Sequence, residues 1–264
     1  MPAGRPRPRV APSPALRARA QAVRRRLLAY YGLPTMAPHG EPLGELVLTL
    51  LSQSTNDRNR DRAFLSLLQR FPSWEAALAA PEEELEEALR PGGIARVKAR
   101  RLKAILAAVA AACAERGEGL SLAWLGGESR ERALAFLCGL PGIGPKTAAC
   151  VLLFSFGWRE VPVDTHLARV GRRLGFLPEG ASSEFAHRRF LALTPPGAEL
   201  EFHVNLLRHG RRLCKAREPR CGSCPLWDLC PTGRSRLRGL RPGSSRRSGR
   251  DGSPPPSAGA AAGD

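Results

Sequence analysis

Lysine is scarce in this sequence: of 41 basic residues, 37 are arginine and four are lysine, at positions 98, 103, 146 and 215. Guanidinium binds phosphate at least as well as ammonium, so a chain that defaults to arginine has no electrostatic reason to place lysine at 146. Long apolar runs are absent, and nothing approaches the ~20 residues that cross a bilayer. The Arg- and Pro-rich start lacks the apolar centre of a secretory signal. These absences predict an intracellular, cytoplasmic protein with no membrane partner. No stretch alternates convincingly at period two, which excludes extended sheet and predicts an all-α fold. The seven cysteines are odd in number and four crowd into residues 214–230, unlike a disulfide framework.

What is present is hydrophobic content of 43% over 264 residues, ample for one large or two modest cores. The net charge is +17, and setting aside residues 1–16 and 234–264 leaves +9 on the body, which favours a polyanion as partner. Those two end segments combine Arg with Pro, Ala, Gly and Ser, and are expected to be disordered basic tails. Between them the apolar spacing reads as successive helices, the first running from Arg17 to a C-cap at Gly32. Leu43, Leu46, Val47, Leu50 and Leu51 form another, which ends in the polar run Ser52–Asp57. Asp57 is expected to cap the helix that follows. The helix from Ile94 to Ala112 starts with Arg96, Lys98, Arg100, Arg101 and Lys103, which read as a solvated basic face.

Leu140-Pro141-Gly142-Ile143-Gly144 interrupts two helical patterns, and its paired glycines suit angles a Cβ would forbid. That reads as a helix-hairpin-helix. Pro145 suits the first turn of the second helix, where amides beside Gly142 and Gly144 can face a phosphate. Lys146 in this turn is either a solvated lysine or, once neutral, an amine nucleophile. Asp164 reads as an N-cap for a helix near Thr165. Cys214, Cys221, Cys224 and Cys230 have the spacing C-x6-C-x2-C-x5-C, which can hold Zn²⁺ or an iron–sulfur cluster. Only one pair has zinc-knuckle spacing, so the pattern tilts toward a [4Fe–4S] cluster. Lys215, Arg217 and Arg220 lie between the first two of these cysteines, either solvated or arranged as a phosphate-binding lobe. Cys113, Cys138 and Cys150 are expected in the core.

The run from Leu140 to Ala148, followed by Val163-Asp164-Thr165-His166 and the four cysteines, resembles the endonuclease III family of DNA glycosylases over residues 20–232. The resemblance implies two helical domains flanking a DNA-binding cleft: residues 35–158 with the hairpin, and residues 17–34 plus 159–233 with the cluster. It implies Lys146 as the nucleophile and Asp164 as its assistant, with His166 either orienting the segment or serving as a structural histidine. Gln53 matches the glutamine that enters the DNA stack, although Leu51–Asp57 departs from the common Ser-Ala-Gln-Ala-Thr-Asp wording. Lys215, Arg217, Arg220, Gly142 and Gly144 become DNA contacts. The implied activity is that of a monomeric, bifunctional DNA N-glycosylase and AP lyase. It removes oxidised pyrimidines from double-stranded DNA carrying a damaged base or abasic site. The alternatives are a monofunctional glycosylase of the superfamily and a non-catalytic helix-hairpin-helix DNA-binding protein with structural zinc.

Overall fold

The computed structural model describes residues 11–35 and 41–238. The expectations for residues 1–10 and 239–264 lie outside the described residues. Helix α1, Pro14–Tyr31, begins three residues before Arg17 because the Ser13 hydroxyl accepts from the Leu16 amide at 3.2 Å and Pro14 fills the first helical position. That corrects the expectation that residues 14–16 are disordered. Gly32, at φ 76°, ends α1 as expected.

The chain continues with α2 (Pro42–Leu51), α3 (Asp57–Arg70), α4 (Trp74–Ala79), α5 (Glu82–Leu89) and α6 (Ala95–Ala114). After these come α7 (Arg130–Gly139), α8 (Pro145–Phe156), α9 (Thr165–Arg173), α10 (Ser183–Leu193), α11 (Glu199–Arg212) and α12 (Pro231–Arg238). No strand occurs among the described residues, and the all-α expectation holds. No helix among them is long and apolar enough to cross a membrane. Residues 234–238 belong to α12, a second correction to the expected tails.

The helices close around two apolar cores. One is built from residues 43–152 of α2 to α8, including Leu46, Leu50, Leu102, Ile105 and Leu137. The other joins α1 to residues 161–226, with Val23, Leu27, Val170, Phe190 and Phe202 at its centre. Each fully buried side chain of this kind contributes about 1.5–3 kcal/mol. Helix α8 packs against α2 and α7 of the first unit and against α10 and α11 of the second. It therefore fixes the position of its own N-terminus relative to both cores.

Several local readings change. Asn56, not Asp57, caps α3, its side-chain oxygen accepting from the Asn59 amide at 2.9 Å. Lys98 leaves the expected basic face: it is buried, and its Nζ donates to the carbonyls of Leu51 and Gly92, both at 2.8 Å. Its spacing from Leu102, Ile105 and Val109 puts it on the apolar stripe of α6, with the ammonium tying down the end of α2. Cys138 is exposed rather than buried, whereas Cys113 and Cys150 are in the core.

Candidate active site and cluster loop

The hairpin turns tightly between α7 and α8, with the Ile143 amide donating to the Leu140 carbonyl at 3.1 Å. Gly142 sits at φ 75°, and a Cβ there would meet the Arg101 side chain at 3.1 Å. Gly144 differs from the expectation for the glycine pair: its φ is −107°, open to any residue, and it serves as the N-cap of α8. It offers no side chain to occupy the first-turn amides, so they remain suited to an anion. Gln53 is tied to this turn from both ends of its amide. Arg101 Nη1 donates to Oε1 at 3.0 Å, and Nε2 donates to the Gly142 carbonyl at 3.3 Å. Arg101 was expected in a solvated face and instead braces the hairpin against the Gln53 loop.

Between the two cores lies a cleft of about 770 Å³, bordered by Glu45, Gln53, Lys146, Cys150, Asp164 and His203 among others. Lys146 is in the first turn of α8, one turn before Cys150. Asp164 comes from the opposite core. Its Oδ1 accepts from the Leu167 amide at 2.8 Å and caps α9. Across the cleft, Arg211 of α11 pairs with Asp57 of α3 at 2.6 Å.

The segment carrying Asp164 is held by two histidines that sequence reasoning missed. The Val163 amide donates to His187 Nε2 at 3.0 Å, and His187 Nδ1 bonds the Ser183 carbonyl at 2.7 Å. His203 Nδ1 bonds the Pro162 carbonyl at 2.9 Å. Both tautomers follow from these partners. Burial pushes His203 down to about 4 and lowers His187, so both rings are neutral near neutral pH. His166 also borders the cleft, with Nδ1 3.0 Å from Arg169 Nη2.

Cys214, Cys221, Cys224 and Cys230 line one cavity of about 20 Å³ and form no disulfide. Donors already point at the sulfurs: Arg173 Nη1 to Cys214 at 3.2 Å, the Leu226 amide to Cys224 at 3.4 Å and the Gly233 amide to Cys230 at 3.3 Å. Burial, and to a lesser extent the other cysteines, push the Cys224 thiol up to about 11. Four cysteines lining one cavity, three of them with a hydrogen-bond donor at the sulfur, suit a cationic inorganic core. Arg173 also donates to the Lys215 and Ala216 carbonyls at 2.7 and 2.8 Å, so α9 anchors the loop. Lys215, Arg217 and Arg220 are exposed on it, and Arg220 also lines the cysteine cavity.

A hairpin with an open helix terminus, a lysine and a carboxylate bordering one cleft, and a four-cysteine loop define a helix-hairpin-helix protein. The HhH-GPD superfamily base excision DNA repair protein family matches residues 47–196, and the iron–sulfur binding domain of endonuclease III matches residues 214–230. A protein of Arabidopsis thaliana named "Putative DNA glycosylase" is 37% identical over 169 residues, 64% of this chain and 56% of its own length. Endonuclease III of Synechocystis sp. is 32% identical over 204 residues, 77% of this chain and 87% of that protein. The structure of a trapped endonuclease III–DNA covalent intermediate superposes with a TM-score of 0.68 at 30% identity, covering 83% of this chain and 99% of the other. The chain belongs to the endonuclease III family of base excision DNA glycosylases, and it carries that family's iron–sulfur binding loop.

Proposed function

We propose that this protein is a bifunctional DNA N-glycosylase and AP lyase that removes oxidised pyrimidines from double-stranded DNA. The observation that carries the reading is that Lys146 and Asp164, supplied by different cores, border the same cleft beside Gln53 and the hairpin. The target C1′ is inaccessible in a stacked duplex, so the nucleotide must be extruded into that cleft. Gln53, held at the hairpin, is placed to occupy the vacated stack, while the amides of α8 grip a backbone phosphate. Neutral Lys146 attacks C1′, the bond to the base breaks, and the resulting Schiff base permits β-elimination of the 3′ phosphate. Asp164 takes up the lysine proton and stabilises the positive charge that develops on the sugar. His166 completes the Asp164 side of the cleft.

The four cysteines would hold a [4Fe–4S] cluster. It supplies structural order to the loop that presents Lys215, Arg217 and Arg220 to DNA. Their sulfurs line one cavity, and donors already face three of them. About four irons per chain is the expected content of anaerobically purified protein, and stoichiometric zinc without iron contradicts it. One chain contains the lysine, the carboxylate and the cleft, in keeping with action as a monomer wherever cellular DNA is held.

The test is a panel of lesion-containing duplexes incubated with the protein in borohydride, read for both base release and covalent trapping. Release with trapping is the expected result. Release without trapping makes the enzyme monofunctional, and binding without either makes it a non-catalytic DNA-binding protein.

A further inference from the structure

Helix α2 is buried at every position, and one of its ten residues is acidic. That residue, Glu45, is 4% exposed, yet it borders the same cleft as Lys146 and Asp164. The Thr49 hydroxyl, one turn on, donates to Glu45 Oε1 at 3.0 Å and fixes the carboxyl orientation. The ionisable groups that bear on it from the neighbouring helices are Lys146 and Cys150 on α8 and Arg60 on α3. On α6, Lys98 turns away to the Leu51 and Gly92 carbonyls. Farther along the cleft stand Asp57, Asp164, His203, Arg208 and Arg211. Asp164 already accepts a backbone hydrogen bond as a helix cap, which suits an acceptor and not a proton donor.

We propose, resting on the lysine mechanism above, that Glu45 is the acid that protonates the departing base. The Lys146 Nζ–C1′ bond forms, and the lysine proton passes to Asp164. The bond from C1′ to the base nitrogen breaks with its electron pair on the base, which takes the proton from the Glu45 carboxyl. The Glu45 carboxylate regains a proton from water after release. Burial, opposed by Thr49, Lys146 and Arg60, pushes Glu45 up to about 7, so an acid form persists to neutral pH. A buried acid in a base pocket with pKa near the working pH is well matched to general-acid catalysis.

The experiment compares wild type with Glu45→Gln, an isostere of the protonated carboxyl, in single-turnover release of an oxidised pyrimidine from pH 5.5 to 8.5. The same proteins are tested for borohydride trapping on preformed abasic DNA, which has no base left to protonate. The expected wild-type-to-variant rate ratio is on the order of 100 at low pH. It falls as pH rises through about 7, while trapping on abasic DNA persists in the variant. Thr49→Val should show a smaller loss with the same pH trend. A ratio that does not change with pH, or equal losses of release and trapping, overturns the proposal and leaves Glu45 a structural residue. Absence of trapping in the wild type sinks the lysine mechanism instead.

Discussion

Asp164 caps α9 with the same carboxyl group that is proposed to assist Lys146, and substitution can separate the two roles. Asparagine keeps an oxygen for the Leu167 amide, so Asp164→Asn should unfold within about 0.5 kcal/mol of wild type while losing most turnover. Asp164→Ala should lose turnover and about 1 kcal/mol of stability as well, both read by denaturant unfolding and single-turnover kinetics. Glu45 makes a prediction of the opposite kind. Its pKa is raised in the folded state from 4.5 to about 7, so folded protein holds a proton that the unfolded chain releases between those values. Stability should fall as pH rises through that window, and Glu45→Gln should remove the fall. By pH 8 the variant should be the more stable protein by up to about 3 kcal/mol. Equal unfolding midpoints at pH 5 and pH 8 in both proteins contradict the burial argument.

At the scale of elements, the hairpin shows how much depends on backbone angle. Gly142→Ala must place a Cβ at φ 75° and 3.1 Å from Arg101. It should cost about 1–2 kcal/mol and weaken DNA binding by about tenfold, since Gln53 and the α8 amides move with the turn. Gly144→Ala has open space around its Cβ and should stay within about 1 kcal/mol. Anisotropy titrations and unfolding curves of the two variants check this contrast. Local signals made much of this legible in the sequence: Gly32 ends α1, and the Pro145 start of α8 is read from its own residue type. Charge runs misled, because Arg101 and Lys98 share a segment with solvated arginines but face the Gln53 loop and the core. Lys98 and Glu45 could have been found as charged residues on apolar helical stripes. His187 and His203 could not, because their bonds to the Asp164 segment depend on how α10 and α11 pack.

At the scale of the molecule, α8 packs against both cores beside the cleft, and the chemistry proposed there takes a residue from each. The net charge of +17 suits a polyanion, but affinity should depend on where that charge faces. Arg217 and Arg220 stand exposed on the cluster loop and do not line the cleft. Replacing both with alanine should weaken binding to intact and damaged duplexes alike. It should also lower the slope of log affinity against log salt by roughly 0.9 for each phosphate no longer neutralised. A loss confined to one lesion, with an unchanged slope, would place them in base recognition instead. The account as a whole rests on Lys146, a rare lysine at a helix terminus that meets both cores. The direct measurement is borohydride trapping by Lys146→Gln on abasic duplex, beside wild type and with DNA affinity measured in parallel. Abolished trapping with affinity within about tenfold is the predicted result, since the hairpin amides and arginines still hold phosphate. Trapping at the wild-type rate would put the nucleophile elsewhere and contradict the account.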